Sequence, residues 1–118
     1  MKILIVHAHE NPDSFCAALA KLATTIFENA GHEVVISDLY QMGFNPVGGK
    51  HDFQELSDAT YYKYALEQLN AHQSSTFAKE VKAEMDKVAD ADVLIFNFPL
   101  WWFGMPAILK GWVDRVLA

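Results

Sequence analysis

The chain has a single cysteine, Cys16, among its 118 residues. No internal disulfide can form, and such usage suits a reducing compartment, so the cytoplasm is the expected location. Cations are scarce as well: nine Lys and Arg stand against fifteen Asp and Glu, a formal net charge of −6. That balance argues against a nucleic-acid footprint or a basic membrane-binding patch. No run approaches the ~18 apolar residues of a spanning helix, so membrane insertion is not expected. The first residues enter a strand pattern with no cationic segment or small-residue cleavage site, and no signal peptide is expected. Neither a P-loop nor a GxGxxG fingerprint occurs, and CxxC, Ser-His-Asp and paired-carboxylate arrangements are missing. His51 and His72 lack the spacing of metal ligands and are expected to face solvent.

What remains is a globular composition, 52% hydrophobic and 20% charged. Residues 2–7 (KILIVH) form a continuous apolar run, the mark of a strand buried on both faces. Asn11-Pro12 reads as an N-cap followed by proline at the first helical position. Phe15, Ala18, Leu19, Leu22, Ala23, Ile26, Phe27 and Ala30 recur at helical spacing as the expected core face, and Gly31 ends the helix. Glu33 to Ser37 is a second strand, parallel and adjacent to the first in a right-handed βαβ unit. The pattern weakens from Leu39 to Ser75, with a short helix expected over Tyr61 to Leu69. Helical spacing returns at Phe77, Val81, Met85 and Val88, and leads into a third strand at Val93 to Phe96.

The segment Phe98 to Leu117 (FPLWWFGMPAILKGWVDRVL) follows that strand. It has a loop crowded with aromatics, then a helix beginning at Pro106 that is expected to bury Ile108, Leu109, Trp112, Val113, Val116 and Leu117. Lys110, Asp114 and Arg115 read as a solvated helix face. Strand, loop and helix start are the parts of a nucleotide or flavin crevice in an open α/β sheet. Trp101, Trp102 and Phe103 would be costly to leave in water uncovered; a core or an oligomer interface would cover them equally well. The first loop, His9 to Ala17, lies at another strand-to-helix junction, where unpaired N–H groups and the positive dipole end suit a phosphate. Asp13 and Ser14 are also explained as capping residues, and Cys16 as a small buried hydrophobe.

Three stretches resemble the NAD(P)H:quinone oxidoreductases, the DT-diaphorase-type flavodoxin-like enzymes: Phe98 through Trp112, Ala8-His9 with Ser14-Phe15, and Ser37-Asp38-Leu39-Tyr40 with Met42 and Phe44-Asn45-Pro46. The resemblance implies a flavodoxin-like doubly wound parallel α/β sheet, holding strands 1–3 of a 2-1-3-4-5 order. It implies one flavin-binding domain over residues 1–118, expected to be C-terminally truncated because the family continues with two more strands and a glycine loop. By resemblance, His9 contacts the flavin pyrophosphate as a donor, and Ser14, Phe15, Cys16 and Ala17 supply hydroxyl or backbone contacts. Cys16 departs from the family's usual asparagine. Pro99, Leu100, Trp102 and Phe103 are assigned to the isoalloxazine ring, with Trp102 and Phe103 walling the crevice, Trp101 pointing elsewhere and Gly104 permitting the turn.

The activity implied is two-electron reduction of quinones by NAD(P)H through flavin hydride transfer, in a homodimer that uses FAD in preference to FMN. No catalytic residue is assigned within these 118 residues and no metal is expected. Two other readings stay open. One is a non-catalytic truncated fragment without flavin; the other is an ancillary flavoprotein regulating potassium efflux.

Overall fold

A computed structural model describes all of residues 1–118. The elements run β1 (Lys2–His7), α1 (Phe15–Asn29), β2 (Glu33–Asp38), a 3-10 turn (Lys50–Asp52), α2 (Tyr64–Ser74), α3 (Lys79–Asp90), β3 (Val93–Asn97) and α4 (Ala107–Val116). The three strands form one parallel sheet in the order β2-β1-β3. This is the start of the expected doubly wound order, and both connections return the chain across a face of the sheet.

Strand alternation divides the core. Leu4, Val6 and Ala8 point to one face and cluster with Leu109, Trp112 and Val116 of α4 and with Met85 and Val88 of α3. Ile3, Ile5 and His7, also buried, point to the face that α1 covers. There the sequence reading of α1 needs correction. Its buried residues are Ala17 and Ala20, whereas Phe15, Leu19, Leu22 and Ile26 stand exposed. Small side chains let the helix sit close to the sheet, which leaves the large apolar stripe on its outer side. The cap also differs: Ser14, not Asn11, caps the helix, its Oγ accepting the Ala17 N–H at 3.1 Å. Asn11 instead folds back on the loop and accepts the Asp13 N–H at 2.9 Å.

The excursion of weak pattern has a small core of its own, built from Phe53, Ala71, Phe77 and Val81. Phe77 pairs with Phe53 in an isolated antiparallel bridge just before α3 begins. The expected helix at Tyr61 to Leu69 starts later, at Tyr64, because Asp58 Oδ1 accepts the Thr60 and Tyr61 N–H groups and holds them in a turn.

Arg115 overturns its expected place on a solvated face. Only 1% exposed, it pairs with Asp52 and Glu80 at 2.8 Å each and donates to the Asn45 carbonyl at 2.7 Å. Burial alone would lower its pKa, but the two carboxylates hold it above the ordinary value. Tyr64 donates its hydroxyl to Asp52, completing a network that ties α4 to the excursion. Lys110 and Asp114 are exposed as expected and pair with each other at 2.6 Å. Leu117 is exposed, contrary to expectation, since it lies past the last turn of α4.

Candidate functional site

Both loops of interest leave the carboxyl ends of neighbouring strands, β1 and β3, and several contacts hold them together. The Ala8 N–H donates to the Asn97 carbonyl at 3.0 Å. The Asn97 side-chain amide donates to the Cys16 carbonyl at 2.8 Å and lies 2.9 Å from His7 Nδ1. One amide at the end of β3 thus fixes the end of β1 and the first turn of α1. The rings of His9 and Trp101 meet edge to face with centroids 6.1 Å apart. Trp101, expected to point away, is therefore the ring that joins the two loops.

In the first loop, His9 Nδ1 accepts the Asn11 N–H at 3.1 Å. A neutral imidazole in that bond carries its hydrogen on Nε2, which is then a donor. Ser14 Oγ is engaged as the helix cap, and Ala17 is buried beneath it with its N–H in that bond. The N–H groups of Phe15 and Cys16 make no hydrogen bond within the chain, as the first turn of a helix dictates. Cys16 is half-buried, not the buried hydrophobe expected, and its carbonyl accepts the Asn97 amide.

The second loop departs further from expectation. Trp101 and Gly104 exchange backbone hydrogen bonds at 2.9 and 3.1 Å, closing a two-residue turn. The residues at its tip, Trp102 (φ 49°) and Phe103 (φ 64°), both adopt the left-handed conformation. Such a mirror-image turn ordinarily recruits Asn or Gly, and bulky residues there cost roughly 1–2 kcal/mol each. Gly104 has no positive φ, so the special backbone lies on the two aromatics, not on the glycine. Their N–H groups find no partner in the chain. Their rings do not wall a crevice within these 118 residues: Trp102 is 95% exposed and Phe103 93%. Leu100 beside them is exposed, and Pro99 is half-buried at the exit of β3.

Sequence reasoning passed over the row beneath α1. His7 pairs in register with Asp38 on one side and Asn97 on the other, so three polar side chains cross the carboxyl end of the sheet on one face. His7 is 4% exposed, and burial pushes its pKa down, a shift that nearby His9 reinforces and Asp38 opposes. The only signal in the sequence was that each of these residues ends an apolar run. A crevice of about 610 Å³ opens beside His7 and Asp38 of this row, between β2, α1 and the first loop. Another hollow, of about 440 Å³, lies at the amino ends of the strands around Lys2 and Glu33. Open α/β sheets bind ligands at the carboxyl ends, which makes the loop side the candidate site.

A parallel sheet with paired loops and unpartnered donors at its carboxyl end defines the class: an open, doubly wound α/β sheet. More particularly, the chain belongs to the flavodoxin-like fold family, whose model matches residues 1–118. It is 44% identical over 117 residues to ribosyldihydronicotinamide dehydrogenase [quinone] of Pongo abelii and 43% identical over 117 residues to NAD(P)H dehydrogenase [quinone] 1 of Rattus norvegicus. These alignments take in 98% of this chain but only 51% and 43% of the relatives. Among solved structures, NAD(P)H:quinone oxidoreductase from Methanothermobacter marburgensis matches with a TM-score of 0.79 at 31% identity, over 98% of this chain and 52% of that one. The chain thus spans about half the length of these relatives.

Proposed function

We propose that this chain carries the flavin-holding loops of an NAD(P)H:quinone oxidoreductase. The observation that carries the reading is the Trp101–Gly104 turn, where two aromatic residues sit in a costly left-handed conformation and present two unpartnered N–H groups. Backbone strain of this kind persists where the donors it aims have a use. The donor set fits a flavin nucleotide. The N–H groups of Trp102 and Phe103 suit the oxygen and nitrogen edge of a flat heteroaromatic ring. The N–H groups of Phe15 and Cys16, with the Nε2–H of His9, suit a phosphate. The exposed rings of Trp102 and Phe103 then gain a planar surface to cover them.

A bound flavin supplies two-electron chemistry: NAD(P)H, a proton and a quinone become NAD(P)+ and a hydroquinone. The residues of this chain bind and orient. His9 and the first turn of α1 hold the anionic end, Ser14 keeps that turn capped, and Pro99 and Leu100 set the approach of the second loop. FAD is the proposed flavin, and a homodimer the proposed assembly, in keeping with the exposed stripe of Phe15, Leu19, Leu22 and Ile26.

The test is the visible spectrum of the purified chain after incubation with FAD and desalting. A retained band near the flavin's ~450 nm absorption, lost in His9→Ala, is the expected result. A colourless protein at stoichiometric loading would overturn the reading for this chain.

A further inference from the structure

Asn97, at the carboxyl end of β3, offers its side-chain amide to two groups at once, the Cys16 carbonyl at 2.8 Å and His7 Nδ1 at 2.9 Å. A carbonyl oxygen only accepts, so the contact with Cys16 fixes which end of the amide is the NH2. The two amide hydrogens then serve one acceptor each, and His7 Nδ1 is the second acceptor. The imidazole is therefore neutral, with its hydrogen on Nε2. Burial favours that state: His7 is only 4% exposed, and burial is the largest influence holding its pKa below the ordinary value. Of the groups around the ring, Asp38 at the end of β2 favours the charged form and His9 in the first loop opposes it. Glu10, Lys21 and Tyr40 line the same crevice, and Cys16 lies across Asn97. The third strand brings no titratable side chain.

The bond to Cys16 is the one hydrogen bond by which the sheet reaches α1. It lands on the first turn, beside the unpartnered N–H groups of Phe15 and Cys16 to which the flavin reading gives the anionic end of the cofactor. A proton added to His7 goes to Nδ1, the ring nitrogen with a lone pair to give. Nδ1 then becomes a donor that faces the hydrogens of the Asn97 amide. The amide must leave the ring or turn its oxygen toward it, and in the turned orientation the same oxygen meets the Cys16 carbonyl oxygen. Either way the tie to the first turn of α1 is lost. We propose that Asn97 is the positioning residue of the flavin-holding turn, and that it holds the turn only while His7 is neutral. What the turn binds is taken from the flavin reading, on which this inference rests. The sign of the effect is distinctive. A proton on His7 acting only as a charge would draw an anion closer, as would one on His9. Loss of the tie releases it.

FAD is the probe, because its diphosphate, unlike a phosphate monoester with a second pKa of about 6, keeps one charge state over the range in which histidines titrate. The isotopically labelled chain is followed by NMR from about pH 8 to about pH 5. Without flavin, the expected result is an unprotonated Nδ1 on His7 at the upper end. The signals of the Cys16 carbonyl and the Ala17 amide should then move in step with its protonation. FAD retention, measured over the same range while circular dichroism confirms the fold, should fall with that step. His7→Asn puts an acceptor that does not titrate where Nδ1 stood, and should make retention level. Asn97→Ala should weaken FAD about tenfold at the upper end, as loss of the bonds to both partners requires, and leave no step below. Three results overturn the proposal: an Nδ1–H tautomer of His7 at the upper end, retention that stays level or rises as His7 takes up its proton, and an Asn97→Ala chain that holds FAD like the wild type. In the last two the flavin reading stands. Turn signals that follow His7 in a chain retaining no FAD at any pH support the positioning and remove only the flavin reading.

Discussion

The two faces of the sheet are finished to different degrees. Toward α3 and α4 the buried charged groups are matched, although the hydroxyls of Tyr62 and Thr76, in the excursion beside α3, are buried without a partner. Glu84 accepts from Ser37 at 2.7 Å and from the Trp112 indole at 3.2 Å, and pairs with Lys87 at 2.6 Å. Arg115 is held by Asp52, Glu80 and the Asn45 carbonyl. Toward α1 and the two loops, the N–H groups of Phe15, Cys16, Trp102 and Phe103 are unpartnered, and large apolar side chains face water. One chain therefore keeps a closed side that fixes geometry and an open side whose donors and rings need something to cover them. Stability belongs to the first, and the proposed function assigns recognition to the second.

Substitutions that separate these roles sharpen the comparison. The largest effect is expected at Arg115. Arg115→Met leaves the buried Asp52 with the Tyr64 hydroxyl but without its guanidinium partner, and breaking a buried pair in this way costs about 3–5 kcal/mol. Urea unfolding should record a loss of that order, and a loss below ~1 kcal/mol would mean that the network does not anchor α4. Gly111→Ala follows. A methyl group there would lie 2.1 Å from the Pro46 carbonyl oxygen, so the excursion must move away from α4. Overpacking of this kind costs about 1–3 kcal/mol. Both variants that stay folded should keep their donors at the loops, so flavin retention should follow the folded fraction and nothing else.

On the open side the expected losses are smaller. Ser14→Ala removes the cap of α1 at about 1 kcal/mol and loosens the turn that presents the Phe15 and Cys16 N–H groups. It should therefore lower stability and flavin retention together. His7 adds a pH dependence. Its folded pKa lies below the unfolded value of about 6.5, so the unfolded state binds more protons as pH falls through that value. Stability should be level above about pH 6.5 and decline below it. His7→Gln should flatten the decline, and an unchanged profile in that variant would assign it to other groups.

How much of this was legible in the sequence differs between the two sides. The strands, the parallel pairing of β1 with β2 and the helical segments were readable, because continuous apolar runs and 3.6-residue spacing express what a core requires locally, whereas the place of β3 followed only from the family resemblance. Arg115 was misread because its partner, Asp52, lies 63 residues away and a charge near a helix end ordinarily faces water. The outer face of α1 was misread for a related reason. Periodicity locates an apolar stripe but does not say which side of the helix the sheet takes, and here the sheet took Ala17 and Ala20. The row of Asp38, His7 and Asn97 exists only through strand register. Its members are 31 and 90 residues from His7, and no local pattern joins them.

The Trp102–Phe103 turn gave no local signal, since mirror-image turns are read from Gly and Asn and neither occupies its tip. It also allows the finest division between the two sides. Trp102→Gly removes a ring that packs on almost nothing, so little contact energy is lost. Glycine adopts φ near +49° without the roughly 1–2 kcal/mol that an L-residue incurs there, but it loses about 0.5–1 kcal/mol more backbone freedom on folding. The two effects nearly offset, and the variant should be unchanged or more stable by up to about 1 kcal/mol in urea. Flavin retention should nonetheless fall, because the turn no longer holds its two N–H groups in one orientation and the flat ring has lost a neighbour. Trp102→Ala keeps the left-handed penalty and should be the less stable of the two while retaining no more flavin. A Trp102→Gly chain that is clearly destabilised would show that the indole belongs to the packed structure, and the division between a closed and an open side would then have to be redrawn at this loop.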